Sequence, residues 1–147
     1  MNRLAGKRVL ITGASAGIGE ACARSLASHG AHLLLSARRL EKVEALATAL
    51  REEYGVEAHA AAVDVADKQV VTDYVANLVS EGLVPDVLIN NAGKARGFDK
   101  LHEGSLDDWD DMIDTNVKGL LYMSRAIIPL MVERDSGHII NIGSIAG

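Results

Sequence analysis

The sequence predicts an α/β fold, a doubly wound parallel sheet with helices on both faces, and three observations predict it. Apolar runs alternate with segments of helical spacing in the order β-α-β-α-β-α-β-α-β. The strand runs are too uniformly apolar to have a wetted face, as in sheets covered on both sides. A glycine loop, Thr12-Gly13-Ala14-Ser15-Ala16-Gly17-Ile18-Gly19, joins the first apolar run to the first helical segment.

The elements follow in order. Val9 to Ile11 reads as the first strand, and Ile18 to His29 as a helix stopped by Gly30. Ala31 to Ser36 is the second strand, and Leu40 to Tyr54, rich in Leu, Ala and Glu, an amphipathic helix. Ala58 to Val65 is extended, and Asp67 to Ser80 carries a helical apolar face through Val70, Val71, Tyr74, Val75, Leu78 and Val79. Asp86 to Ile89 is a fourth strand that runs into Asn90-Asn91-Ala92-Gly93. Ser105-Leu106-Asp107-Asp108 resembles a capping box opening a long helical segment to Arg134, which Pro129 is expected to kink or interrupt. Gly137 then releases the chain into a fifth strand, His138 to Ile142, with Ile139, Ile140 and Ile142 at the edge of the sheet.

The glycine loop sits where a dinucleotide-binding loop belongs, between a strand and a helix. Gly13 makes the tight turn, Gly17 lets backbone approach a pyrophosphate, and Gly19 packs the helix on the sheet, with Ser15, Ala16 and Ile18 between them. The helix N-terminus offers the phosphates free N–H groups and a partial positive charge. Asn90 to Gly93 provides a second loop, and the count of strands puts the two loops at the first and fourth strand ends. In a doubly wound sheet the strand order reverses there, and ligands bind in the crevice outside those ends. A carboxylate at the end of the second strand would bind the ribose 2'-hydroxyl of NAD, but Arg38 and Arg39 stand there, and no acid comes before Glu41. Guanidinium forks bind a 2'-phosphate, so NADP is the expected cofactor.

Composition excludes several classes. A chain of 147 residues with 48% hydrophobic residues makes one domain with a core, here a dinucleotide-binding domain over residues 1–147. The net charge of -5 and the absence of a Lys/Arg cluster with interleaved aromatics argue against a nucleic-acid partner. Cys22 is the single cysteine and reads as a small buried helix residue. The opening residues pass straight into a strand, and no apolar run approaches a membrane span, so a cytoplasmic protein without a membrane partner is expected. Asp107, Asp108, Asp110 and Asp111 fall in a first helical turn, where acids complement the dipole, and no metal is expected. The five histidines are scattered, and Ser144 lacks the elbow of a serine hydrolase.

Through Thr12 to Gly19, Asp64, Asn90 to Gly93, Asn116 and Ser144 the sequence resembles the short-chain dehydrogenase/reductase family over the whole chain. The spacing Thr-Gly-x-x-x-Gly-x-Gly points to its compact branch, and Asp107 to Gly147 is similar to the NADP-dependent 3-hydroxy acid (serine-type) dehydrogenases within it. The resemblance implies a Rossmann-like fold and an NADP-dependent oxidoreductase, a homo-oligomer, that moves a hydride between the nicotinamide and an alcohol or carbonyl substrate. It implies that Asp64 and Val65 lie against the adenine and that Asn91, Ala92 and Gly93 floor the cofactor site. Asn116 would hold a water in a proton relay, and Ser144 the substrate oxygen. The family's proton donor is the Tyr of a Tyr-x-x-x-Lys pair beyond the Ser144 position. Residues 1–147 hold no such pair: Tyr54, Tyr74 and Tyr122 are followed at that spacing by Ala58, Leu78 and Ala126. The carboxyl-terminal part of the fold is therefore expected to be missing, and a truncated, non-catalytic NADP-binding fragment is the alternative expectation.

Overall fold

A computed structural model describes residues 2–145. Met1, Ala146 and Gly147, the ends of the single domain expected over 1–147, lie outside the described residues. Five strands, β1 (Arg8–Thr12), β2 (His32–Ala37), β3 (Ala58–Ala62), β4 (Val87–Asn90) and β5 (His138–Asn141), form one parallel sheet in the order β3-β2-β1-β4-β5. The helices are α1 (Gly17–Ser28), α2 (Leu40–Tyr54), α3 (Lys68–Ser80), α4 (Leu106–Ile113) and α5 (Leu120–Glu133).

Alternation along each strand divides the core between two faces. Val9 and Ile11 of β1 and Leu33 and Leu35 of β2 pack with Ala23 and Ala27 of α1 and Val43, Leu46 and Leu50 of α2. Leu10, Leu34 and Leu88 point the other way, onto Val71, Val75 and Leu78 of α3 and Met123, Ile127 and Met131 of α5. Each fully buried leucine contributes roughly 1.5–3 kcal/mol through lost water contact. Both faces are covered, which is why the strand sequences show no polar alternation.

Local chemistry sets the helix ends. Asp67 accepts from the Gln69 and Val70 N–H groups at 3.0 and 3.1 Å, so it caps α3 rather than opening it. Ser105 accepts from the Asp108 N–H at 3.3 Å, as its capping pattern predicts. Gly30 adopts φ +85° and stops α1.

Of the kink or interruption expected at Pro129, the interruption does not occur. The proline lies inside a continuous α5, and both it and Arg125, whose carbonyl loses its partner, are on the exposed side, where water can take that carbonyl. The irregularity falls earlier, where Asp114–Gly119 forms a π-helical segment between α4 and α5. Gly119 permits this: a Cβ there would come within 2.5 Å of Val65 Cγ2, so the widened turn packs directly on the chain leaving β3. That chain ends its strand at Ala62, short of the expected Val65. β5 occupies the sheet edge; Ile139 packs on the second face while Ile140 and Ile142 are exposed.

Candidate functional site

In a parallel sheet all strand carboxyl ends face one way, and here β1 and β4, adjacent in space, carry the two loops. Side chains stitch them together. Thr12, fully buried, accepts through Oγ1 from the Asn91 and Ala92 N–H groups, both at 3.0 Å. Asn91 Nδ2 returns hydrogen bonds to the Thr12 and Gly13 carbonyls at 3.1 and 3.0 Å. The loops approach so closely that only glycine fits. A Cβ on Gly13, which has φ +63°, would lie 2.8 Å from Ala92 Cα. On Gly19 it would lie 2.5 Å from both Asn91 Nδ2 and the Gly13 carbonyl.

Gly17 differs. It opens α1 at φ +57° with empty space where a Cβ would project, and no side chain caps the helix. Its first N–H groups therefore face a cradle. That cradle belongs to a cleft of about 740 Å³ running across the strand ends. Gly13, Ser15, Ala16, Gly17 and Ile18 from the first loop line it, with Arg38 and Arg39 after β2, Asp64 and Val65 after β3, and Asn91, Ala92 and Gly93 after β4. Gly19 lies beneath it, in the packing role its position suggested.

The cleft is strongly cationic in a chain of net charge -5: Arg38, Arg39, Lys42, Lys94 and Arg96 line it against one carboxylate, Asp64. Arg38, Arg39 and Lys42 make no ion pair among the described residues. Asp64 accepts from the Ala66 N–H at 3.0 Å, which fixes its loop. A dinucleotide carrying phosphates fits this donor set: free helix N–H groups, three uncommitted cations and a backbone kept open by Gly17.

Ala37, Lys42, Val63, Lys94, Arg96 and Thr115 also line the cleft and were not expected from the sequence. Lys94 and Arg96 share Asp111 of α4: Lys94 Nζ lies 2.7 Å from Oδ1 and Arg96 Nε 2.8 Å from Oδ2. The hydrogen bond from Lys94 is the largest influence and lowers the Asp111 pKa below the ordinary carboxylate value; desolvation opposes it, and the charges of Lys94, Arg96 and Arg38 add to the lowering. Asp111 is thus a counter-ion, not a free acid of the first turn. No local pattern announces this pairing, because it joins a loop to a helix across tertiary space.

Asn116 sits in the π segment, and its amide spans to the chain beyond β4: Oδ1 accepts from the Lys94 N–H at 2.7 Å and Nδ2 donates to the Lys94 carbonyl at 2.8 Å. Ser144 follows β5 and is exposed. Neither side chain lines the cleft, although both stand at the carboxyl ends of β4 and β5. Asn90, buried, ties those ends together by donating to Asn141 Oδ1 and Ser124 Oγ, each at 3.0 Å.

A sheet with this order, a glycine cradle at its switch point and a stitched Asn-Ala-Gly loop defines a dinucleotide-binding protein. The family model for short chain dehydrogenases matches residues 7–147, and the chain belongs to that family. It is 46% identical over 139 residues to the NADP-dependent 3-hydroxy acid dehydrogenase YdfG of Salmonella typhi, covering 95% of this chain and 54% of that one. Serine dehydrogenase from Escherichia coli superposes with a TM-score of 0.85 at 44% identity, over 95% of this chain and 62% of its own. The closed form of a serine dehydrogenase complexed with NADP+ gives 0.86 at 44% identity, over 95% and 55%. The chain spans about half the length of the curated relatives it matches. Among the described residues no helix is long and apolar enough to cross a membrane.

Proposed function

We propose that the protein is an NADP-dependent oxidoreductase acting on a hydroxyl or carbonyl substrate, a 3-hydroxy acid by analogy with its relatives, and that residues 1–147 bind and position. The observation that carries this reading is the pair Arg38 and Arg39, which make no ion pair among the described residues and stand at the end of β2 in a cleft whose other walls suit a dinucleotide. When bound, the nicotinamide accepts or supplies the hydride. The α1 N-terminus and Gly17 hold the pyrophosphate, Arg38 and Arg39 hold the 2'-phosphate, and Asp64 with Val65 faces the base. Asn91 to Gly93 floors the cleft. Asn116 orients a water at the β4 end, and Ser144 Oγ donates to the substrate oxygen as its charge develops. The Tyr-x-x-x-Lys pair of the family has no counterpart in residues 1–147, so these residues alone support the alternative, NADP binding without turnover.

The test is Arg38→Asp combined with Arg39→Ala, with dissociation constants for NADP+ and NAD+ measured by titration calorimetry. Loss of the charge-assisted hydrogen bonds weakens NADP+ by about 10- to 100-fold and reverses the preference toward NAD+. An unchanged preference overturns the reading.

The same reading makes the protein a cytoplasmic homo-oligomer. The single unpaired Cys22 suits a reducing compartment. Ile113, Val117, Leu121, Ile128 and Val132 leave an exposed apolar surface along α4, the π segment and α5 that a second copy would cover. Sedimentation velocity should show a dimer or larger species that Leu121→Asp with Val132→Asp dissociates; a wild-type monomer would refute the assignment.

A further inference from the structure

We propose that Arg96 is a carboxylate-reading residue, held ready by Asp111 and flanked by Lys94, so that the cleft selects substrates bearing a carboxylate over neutral alcohols of the same size. This rests on the oxidoreductase reading above.

The charges on the loop after β4 are out of balance. One carboxylate would suffice to anchor the loop after β4 with one cation, yet Asp111 faces two. A positive charge is left over at the cleft wall. The two cations are also placed differently. Lys94 is largely buried, its side chain 14% exposed, and is spent on Asp111 Oδ1. Arg96 is half exposed, its nearest approach to Asp111 is through Nε, and its two terminal nitrogens make no hydrogen bond among the described residues. An arginine fixed at Nε presents its outer N–H groups as a rigid fork matched to a carboxylate or phosphate oxyanion.

The location favours a substrate carboxylate over a cofactor phosphate. The Lys94 backbone is bonded twice to the Asn116 amide, at 2.7 and 2.8 Å, so Arg96, two residues further on, belongs to the chain segment that the proposed proton relay anchors. The phosphates already have the α1 N-terminus on β1 and the arginine pair on β2. A neutral alcohol would leave the Arg96 fork without a partner in a partly desolvated cleft.

Titration calorimetry on the 147-residue chain separates the two sources. With NADP+ saturating, 3-hydroxypropanoate should bind at least about 10-fold more tightly than 1,3-propanediol, in which a hydroxymethyl group replaces the carboxylate. Arg96→Leu should weaken the acid by about 10- to 100-fold, leave the diol unmoved and leave the NADP+ dissociation constant within about two-fold. Arg96→Lys, which keeps charge but not the fork, should fall between and guards against a folding artefact of the leucine variant. If Arg96→Leu weakens NADP+ instead, the fork reads a cofactor phosphate and the proposal fails. It fails equally if neither ligand responds, for then the ion pair is only a tether, or if NADP+ binds and the acid does not. If the wild-type chain binds no NADP+, the oxidoreductase reading falls first and this one with it.

Discussion

The two walls of the cleft are built on different principles. The wall formed by β1, β2 and β3 is local: a glycine loop, an arginine pair and a short loop after β3 each follow their strand directly. The wall beyond β4 is assembled from afar, since Lys94 and Arg96 meet Asp111 of α4, and Asn116 of the π segment reaches back to the Lys94 backbone. The first wall is set by backbone constraints that tolerate almost no substitution; the second is set by side-chain charge, which solvent and salt can weaken.

The glycines test the rigid wall hardest. Gly19→Ala places a Cβ 2.5 Å from the Gly13 carbonyl and the Asn91 amide, so α1 or the β4 loop must shift. Destabilisation of about 3 kcal/mol is expected, together with loss of NADP+ binding, as read by thermal unfolding and calorimetry. Gly17→Ala meets nothing within 4 Å and suffers only its φ of +57°. It should cost about 1 kcal/mol yet still lose NADP+ binding, because its methyl group enters the cradle. Gly82→Ala, at φ +70° in open space and distant from the cleft, should cost the same and bind normally. Equal binding by all three variants would show that the glycine wall does not hold the cofactor.

That contrast also accounts for what could be read from the sequence. Gly13, Gly17 and Gly19 are legible because backbone conformation and close approach demand a residue type at a fixed offset from a strand. Arg38 and Arg39 are legible because their position after β2 is itself local. The placing of β1 beside β4 is legible once the alternation is read as a doubly wound sheet whose order reverses between its first and fourth strands. Lys94, Arg96 and Asp111 were invisible because a lysine in a loop and an aspartate in a helix carry no mark of their partner. The π segment went unseen for a related reason. It packs through Gly119 on Val65, a tertiary contact, whereas Pro129, the local signal, sits on the exposed side of α5 and is absorbed there.

The charge-built wall gives the smallest effect and a definite sign. Lys94 chiefly, with Arg96 and Arg38, holds the Asp111 pKa below its ordinary value of 3.8. A carboxyl whose pKa is depressed in the folded state contributes stability that is present above the unfolded value and lost as pH falls through the folded one. Asp111→Asn should therefore be less stable than wild type at neutral pH, and the two unfolding curves should converge below about pH 3.8. The partners are partly exposed, so high salt should narrow the gap at neutral pH as well. Unfolding midpoints of both chains across acidic to neutral pH, at low and high salt, decide the matter. A gap that persists unchanged at the acid end would mean that Asp111 acts through packing, and the β4 wall would then be as rigid as the glycine wall.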